Sequence, residues 1–596
     1  MNSRKNVIVL DILVHLGFLV WGIMAYIYFQ ERLYADAGFF VAKVIHYETF
    51  WIELNRYARV FSQWLPLIAI KSGASLKTVL ILFSLCPVIF FYTIYVISRY
   101  WLKNQQVGWM LLSMCTIGIS FGFATQGFEL YYCAALLLVL HVLLQRPTFS
   151  LRAKLLLASI TIFIVVNYQL IIVLIAGVLC INYFINRTVS IKTISAIMSL
   201  SLATICIKFL LVEHSYESKK AAYVINNIVE WNYDMNYLKD LLSFLIKYYI
   251  ELIVVMLGTV FYYLIGKRWR WLLGFLIFFI LGILIAIVTF PQLEHTRYQE
   301  QCYFFLIYIS CFPMVMDIMR SFKGKVKMFL HIILFGLVIY RFSVINYSME
   351  LFTKRVDFMH RLINYAQTTE GNKFILNEAN ARTIVVYPFF SFAMETLLLS
   401  GLYPKQKSVS VILDNYITYG ENERKLRNEN LYVSTSRSFY NRPDSLLKHN
   451  SVNKRYFDFP SGKYYKLNGS VPNNTVLDFE KRTIELKAST IEKLNASESG
   501  DLKIVITNNS HVPLNSEQLR IGYRWVEEGS VIPMDWVGYL NPLEIDLFPS
   551  NHYEQTIRVH MPKQAGEYDL KIIAFLNVKG VSHTINNTSL KVIVEK

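Results

Sequence analysis

The first 347 residues alternate long apolar runs with short polar connectors, and the remaining 249 do not. A helix crossing a bilayer needs about 20 apolar residues, because hydrocarbon offers no water to an unpaired N–H or C=O. On that length eleven transmembrane spans are expected, at 7–28, 76–98, 107–124, 127–145, 154–168, 169–185, 193–212, 241–265, 271–290, 301–319 and 328–347. The run 154–185 is divided because Asn167-Tyr168-Gln169 is its only polar break. The first loop, about 29–75, is long and has a helical pattern of its own. A helical stretch at 348–369, a strand at 383–387, a helix at 391–401 and a strand at 409–412 indicate a mixed α/β unit over 348–480, with loops at 421–454. From 481 to 596 the pattern changes to short alternating runs between turn residues, at 502–507, 519–525, 556–560 and 568–574, which predicts an all-β sandwich.

Composition agrees with this organisation: three domains, 1–347 in the membrane, 348–480 and 481–596 outside it. Charged residues make up 17% of the chain and mean hydropathy is +0.38. A soluble domain carries about a quarter charged residues, so an ordinary cytosolic or disordered protein is excluded. The net charge of +17 invites a nucleic-acid reading, but its placement argues otherwise. The connectors 1–6, 99–105, 145–154, 186–192, 266–270 and 320–327 hold 16 basic residues and no acidic one, leaving 43 basic against 42 acidic elsewhere. That is the positive-inside signal: the N-terminus is expected in the cytoplasm and everything after 347 outside. The partner implied is membrane lipid, not nucleic acid. The first span is too long for a signal h-region and no small-residue cleavage site follows, so it reads as a retained helix. All seven cysteines lie in the membrane half, with neither a disulfide framework nor zinc spacing. An exported part without cysteine fits a bacterial inner (cytoplasmic) membrane.

Ionisable groups at a membrane surface are expensive unless they work or are paired. Asp36 follows the first span in Tyr34-Ala35-Asp36-Ala37-Gly38. Arg56 and Arg59 are three apart, Gln63 four further on, so the three share one helical face that suits an anionic phosphate. Glu129 stands at the outer start of the fourth span, and Glu294, His295, Arg297, Tyr298 and Glu300 cluster at the outer start of the tenth. Each also has a structural role open to it. Asp36 can cap a helix, and the two arginines can snorkel or pair with Glu53. Glu129 can sit on a helix dipole, and Arg297 can be neutralised by Glu294 and Glu300. Asp11 and His15, four apart in the first span, are expected to pair with each other. Lys219 and Lys220 read as a solvated loop. Trp525, Trp536 and Tyr539 read as core aromatics, with a sugar-stacking platform as the alternative.

An early acid after the first span, a long first loop of surface helices, many spans and an outer C-terminal part together resemble the GT-C superfamily of integral-membrane glycosyltransferases. The protein O-mannosyltransferases and lipid A aminoarabinose transferases belong to it. The stretch Met561–Leu570 resembles the late hairpin of Ig-like domains in bacterial surface-glycan enzymes. The resemblance implies transfer of a sugar from a polyprenyl-phosphate donor to a glycan, lipid or protein acceptor on the outer face. It makes Asp36 the catalytic acid of the first loop; a second catalytic acid would come from another loop, Glu129 first and the Glu294–Glu300 cluster as the alternative. Arg56, Arg59 and Arg297 would bind the donor phosphate, and Gln63, Glu294, His295 and Tyr298 would shape the acceptor site. No cofactor is required; a divalent cation stays open, although Ala35 and Ala37 flank Asp36 where a second acid would help to hold one. A lipid-linked glycan polymerase or ligase would show a large arginine-rich late loop, and 291–300 is short. A transporter would show inverted repeats or broken helices, and a scaffold would carry only a glycan-binding sandwich.

Overall fold

The computed structural model describes residues 2–211, 224–226, 235–289, 296–376, 391–413, 431–433, 446–448 and 452–466, less a few short breaks. Further on it describes 484–488, 494–495, 499–509, 519–527, 530–531, 541–543, 547, 552–578 and 581–595, again with short breaks. Among these residues six helices are long and apolar enough to cross a membrane, and a bent pair makes a seventh. That is the make-up of a membrane protein.

Helix α1 (Asn2–Ile27) has two apolar stripes. Leu10, Val14, Phe18, Trp21 and Ala25 are buried in the protein, while Ile8, Ile12, Leu19 and Ile23 are exposed. Apolar residues on both faces suit a helix whose outer solvent is lipid. The acid in this helix does not pair with His15. Asp11 takes the Arg99 guanidinium instead, at 2.8 and 2.7 Å, because two parallel donors satisfy both carboxylate oxygens where an imidazole offers one. His15 bonds Tyr92 at 3.1 Å and Tyr100 at 3.3 Å.

The loop after α1 is helical, as expected: α2 (Asp36–Tyr47), a 3-10 turn at Tyr57–Arg59, and α3 (Val60–Lys71). Helix α4 (Leu76–Val96) is capped by Ser75, whose Oγ accepts the Thr78 N–H at 3.3 Å. Helix α5 (Gln106–Thr116) ends after 11 residues, so 107–124 is not one continuous helix. The chain turns at Gly118, where φ is +78°, and closes with a 3-10 turn at Phe121–Ala124. The buried Glu300 carboxylate holds that turn by accepting the N–H groups of Ser120 at 3.2 Å, Phe121 at 3.0 Å and Gly122 at 2.5 Å.

Helices α6 (Glu129–Leu144), α7 (Leu151–Asn167), α8 (Ile172–Phe184) and α9 (Ile191–Leu211) follow, with the break between α7 and α8 at Tyr168. The span expected at 241–265 is bent: α10 (Met235–Tyr248) meets α11 (Ile250–Ile265) at 105°. A bend inside an apolar layer frees backbone groups that must find partners. The buried Arg341 supplies one, donating to the Tyr248 carbonyl at 3.0 Å; it also donates to the Thr116 carbonyl at 3.3 Å and the Ile119 carbonyl at 2.5 Å in the turn after α5, and pairs with Glu251 at 2.6 Å. Helices α12 (Trp269–Thr289) and α13 (Thr296–Pro313) complete this part. Helix α14 (Gly324–Thr368), 45 residues long, joins the last expected span and the helical stretch after it into one rod.

The described chain forms two compact units: 1–356 with 390–408 and 430–460, and 357–389 with 409–429 and 461–596. In the first, α15 (Phe392–Ser400) and residues 453–457 pack on the first loop. Asn453 Nδ2 donates to Ile45 O and Glu48 Oε1, both at 2.9 Å, and Arg455 donates to Ile70 O at 3.0 Å. The loops expected over 421–454 include one short antiparallel pair, Leu431–Val433 with Leu446–Lys448. Each strand is only three residues long, too short for an alternating pattern to stand out.

In the second unit Lys373–Leu376 pairs in parallel with Ser410–Leu413 and Tyr464–Lys466. The strand expected at 383–387 lies outside the described residues. A long hairpin, Gly566–Val578 with Val581–Glu595, continues onto Leu519–Glu527. Ser499–Asn508 pairs with His552–His560 and Ile484–Ala488. The two sheets share one core, with Leu502, Ile504 and Ile557 from one and Ile521, Trp525 and Leu570 from the other. Trp525 is fully buried and its Nε1 donates to His560 O at 2.8 Å, which makes it core and not a sugar platform. Trp536 and Tyr539 lie outside the described residues.

Candidate functional site

The chain between α1 and α2 is held on both sides. Leu33 forms an isolated antiparallel bridge with Thr125, and Arg32 donates to Phe123 O at 3.1 Å and Ser84 O at 3.2 Å. The bridge sets the loop carrying Asp36 beside the chain leading to Glu129. Ala35 then takes φ 57° and ψ −121°, a conformation that L-residues adopt only under constraint. Its N–H donates to Glu395 Oε1 at 3.1 Å. Asp36 begins α2 directly after this kink, half-buried between the fully buried Ala35 and Ala37.

Helix α2 turns Phe40, one turn beyond Asp36, under a cation: the Arg59 guanidinium carbon stands 3.6 Å from the Phe40 ring centre. Arg59 Nε donates to Glu129 Oε1, and Arg56 Nη1 lies 3.5 Å from the same oxygen. The side chains of Glu129, Arg59 and Arg56 are 5%, 11% and 16% exposed, so both guanidinium groups meet the Glu129 carboxylate in a largely dry place. The arginines do not converge by sharing a helical face, since Arg56 has φ −98° and ψ 78° and precedes the turn. They converge because Asn167, the polar break between α7 and α8, accepts the Ala58 N–H at 2.6 Å and sets the turn between them. Glu53 takes the indole N–H of Trp51 at 3.0 Å.

Gln63 is fully buried, and its amide accepts the Trp51 N–H at 2.8 Å and donates to Trp51 O at 2.9 Å. It shapes the chain between α2 and the arginines. Nearby, Lys43 is buried on α2 with its ammonium 4.9 Å from the Trp51 ring. Burial, with the Lys43 charge beside it, pulls the His46 imidazole down to about 3.

Glu294, His295, Lys219 and Lys220 lie outside the described residues. Arg297 and Tyr298 belong to α13, but their side chains lie outside the description as well. Glu300 serves the turn after α5 and also accepts the Tyr249 hydroxyl. Among the described residues no three His, Cys, Asp or Glu gather as metal ligands.

Two residues of this neighbourhood escape sequence reasoning. Arg355 of α14 and Glu395 of α15 are both fully buried, with Nη1 2.5 Å from Oε2. The signal was a lone acid in the apolar run Phe392-Ala393-Met394-Glu395-Thr396-Leu397-Leu398. Arg341 carried the same kind of signal, a lone base inside an apolar span.

No protein-family model matches the chain, and no curated protein matches it in sequence.

Proposed function

We propose that this protein is a membrane glycosyltransferase that moves a sugar from a polyprenyl-phosphate donor to a glycan, lipid or protein acceptor. The observation that carries this reading is that an acid and a pair of arginines are tied to the same helix, α2. Asp36 heads α2, and one turn along it Phe40 supports Arg59, which meets Arg56 at Glu129. Both guanidinium groups approach the Glu129 carboxylate, and their planar, multiply donating forks match the oxygens of a phosphate. In the proposed step Asp36 takes the acceptor's hydroxyl proton while that oxygen forms a bond to the anomeric carbon. The bond from that carbon to the phosphate oxygen breaks with inversion, and polyprenyl phosphate leaves with the electron pair. Arg56 and Arg59 stabilise the charge growing on it, with Arg297 as a third candidate. Glu129 keeps both arginines aimed, and Gln63 holds the loop between them and α2.

The finer topology belongs to the same reading: eleven spans, a cytoplasmic N-terminus, and an Ig-like sandwich at 481–596 outside a bacterial inner membrane. The two shorter apolar helices, Glu129–Leu144 and Gln169–Phe184, support a count above the six long ones.

A transporter is the second reading, favoured by the 105° bend between α10 and α11. The backbone freed there is taken by Arg341, which argues against a substrate site at the bend.

The test is sugar transfer by purified protein with a panel of radiolabelled polyprenyl-phosphate sugars, wild type beside Asp36→Asn. The reading expects one donor to be consumed by wild type and not by an equally stable Asp36→Asn protein. A fully active variant removes Asp36 from the mechanism, and a wild type inert towards every donor removes the transferase.

A further inference from the structure

The reading above leaves the chain beyond the spans without a task. A group of residues there makes direct contact with the loop that carries Asp36. Glu395, in the first turn of α15, sends Oε1 to the Ala35 N–H at 3.1 Å and receives the Ser391 hydroxyl on the same oxygen at 2.6 Å. Its other oxygen faces the Arg355 guanidinium at 2.5 Å. Arg355 lies with its guanidinium carbon 4.8 Å from the Tyr34 ring centre and 5.8 Å from that of Phe392, so the cation is packed between the loop and α15. Arg355, Glu395 and Ser391 are all fully buried.

The fit is close on the other side too. A Cβ on Gly38 would stand 2.8 Å from Glu395 Cγ and 2.3 Å from Leu33 O. The carboxylate thus grips a peptide of unusual dihedrals, directly before Asp36. A strained backbone persists only where its surroundings over-determine it, and such strain gathers at functional sites.

We infer that Glu395, held by Arg355 and Ser391, is a positioning residue for Asp36. The segment 391–400 is then part of the active site, where the acid's place is set, and not an accessory to a self-sufficient membrane domain. This rests on the transferase reading. Glu395 does not touch the reacting atoms; it acts through the Ala35 peptide.

The test uses the full-length protein in lipid nanodiscs. Removing one partner of a buried ion pair can cost the fold, whereas replacing both by apolar groups is often neutral. Ser391→Ala and the double variant Arg355→Met/Glu395→Met are therefore compared with wild type, all checked by thermal melting. Hydrogen–deuterium exchange over residues 33–40 reads the clamp directly. Initial rates, with whichever polyprenyl-phosphate sugar wild type consumes, read its purpose. The double variant should exchange at 35–38 at least tenfold faster, with α1 and α4 unchanged, and its kcat should fall about a hundredfold while KM for the donor stays within threefold. Ser391→Ala should show the same pattern more weakly. Unchanged exchange overturns the clamp. Faster exchange with unchanged kcat overturns its positioning role. A wild type inert with every donor overturns that role together with the transferase reading, and exchange alone then decides whether Glu395 holds the loop.

Discussion

Arg341 donates to the Tyr248 carbonyl at 3.0 Å, one residue before the chain turns through 105°. A single buried guanidinium serves three places there: the bend, the turn after α5 through the carbonyls of Thr116 and Ile119, and the carboxylate of Glu251.

Arg341→Met should therefore be among the most damaging single changes in the membrane part. It leaves Glu251 charged and buried without its partner, at a cost of about 3–5 kcal/mol. Thermal melting in detergent checks this. A variant that melts within a degree of wild type would show that the bend is held by other means.

Arg59→Lys tests the anion site. Lysine keeps the charge but loses the planar fork that lies on Phe40 while bonding Glu129. KM for the lipid-phosphate donor should rise about tenfold, or about 1.4 kcal/mol, with kcat less affected. Initial-rate kinetics would refute the assignment by showing an unchanged KM.

Two small changes in the first loop should act in opposite directions. Ala35→Gly removes the Cβ from a residue at φ 57° and should melt no lower than wild type. Gly38→Ala drives a methyl to within 2.3 Å of Leu33 O, which is backbone and cannot step aside, and should destabilise by about 1–3 kcal/mol. Equal melting temperatures for the two variants would contradict the packing described.

His46 should make the protein acid-sensitive. Its folded pKa is about 3 against an ordinary 6.5. Below 6.5 the unfolded chain takes up a proton that the folded one refuses, so stability falls by about 1.4 kcal/mol per pH unit down to about 3. Above 6.5 the group costs nothing. His46→Gln should melt near wild type at pH 7.5 and lose less stability between pH 7 and 5. Parallel melting curves for the two proteins across that range would exclude His46 as the source.

What sequence made legible is what local pattern governs. The first span, the break at Asn167, helix 391–401 and the strands from 502 onward each follow from residues close in the chain. What it hid depends on distant partners. Helix α5 stops where Glu300 gathers three N–H groups from 120–122, and the 241–265 run bends where Arg341 can satisfy it. Spacing alone points Asp11 to its near neighbour His15, whereas the Arg99 fork 88 positions away fits it better. At the candidate site the convergence of Arg56 and Arg59 was visible as a spacing, but its cause lies in Asn167 and Glu129. Arg355 and Glu395 are 40 residues apart, and nothing in either neighbourhood named the other.

Helix α14 has one more property. Arg341, Ser348 and Arg355 recur at intervals of seven and are all buried, so they lie along one stripe. The outer two are about 21 Å apart along the axis, in a rod about 68 Å long set against a hydrocarbon layer of about 30 Å. The same stiff body thus grips the bend between α10 and α11 at one point and the Asp36 loop at another. A lipid layer whose thickness forces the rod to tilt loads both grips together. Bilayer thickness becomes a mechanical input to the loop, and turnover and loop exchange should shift in step as lipid chain length is varied.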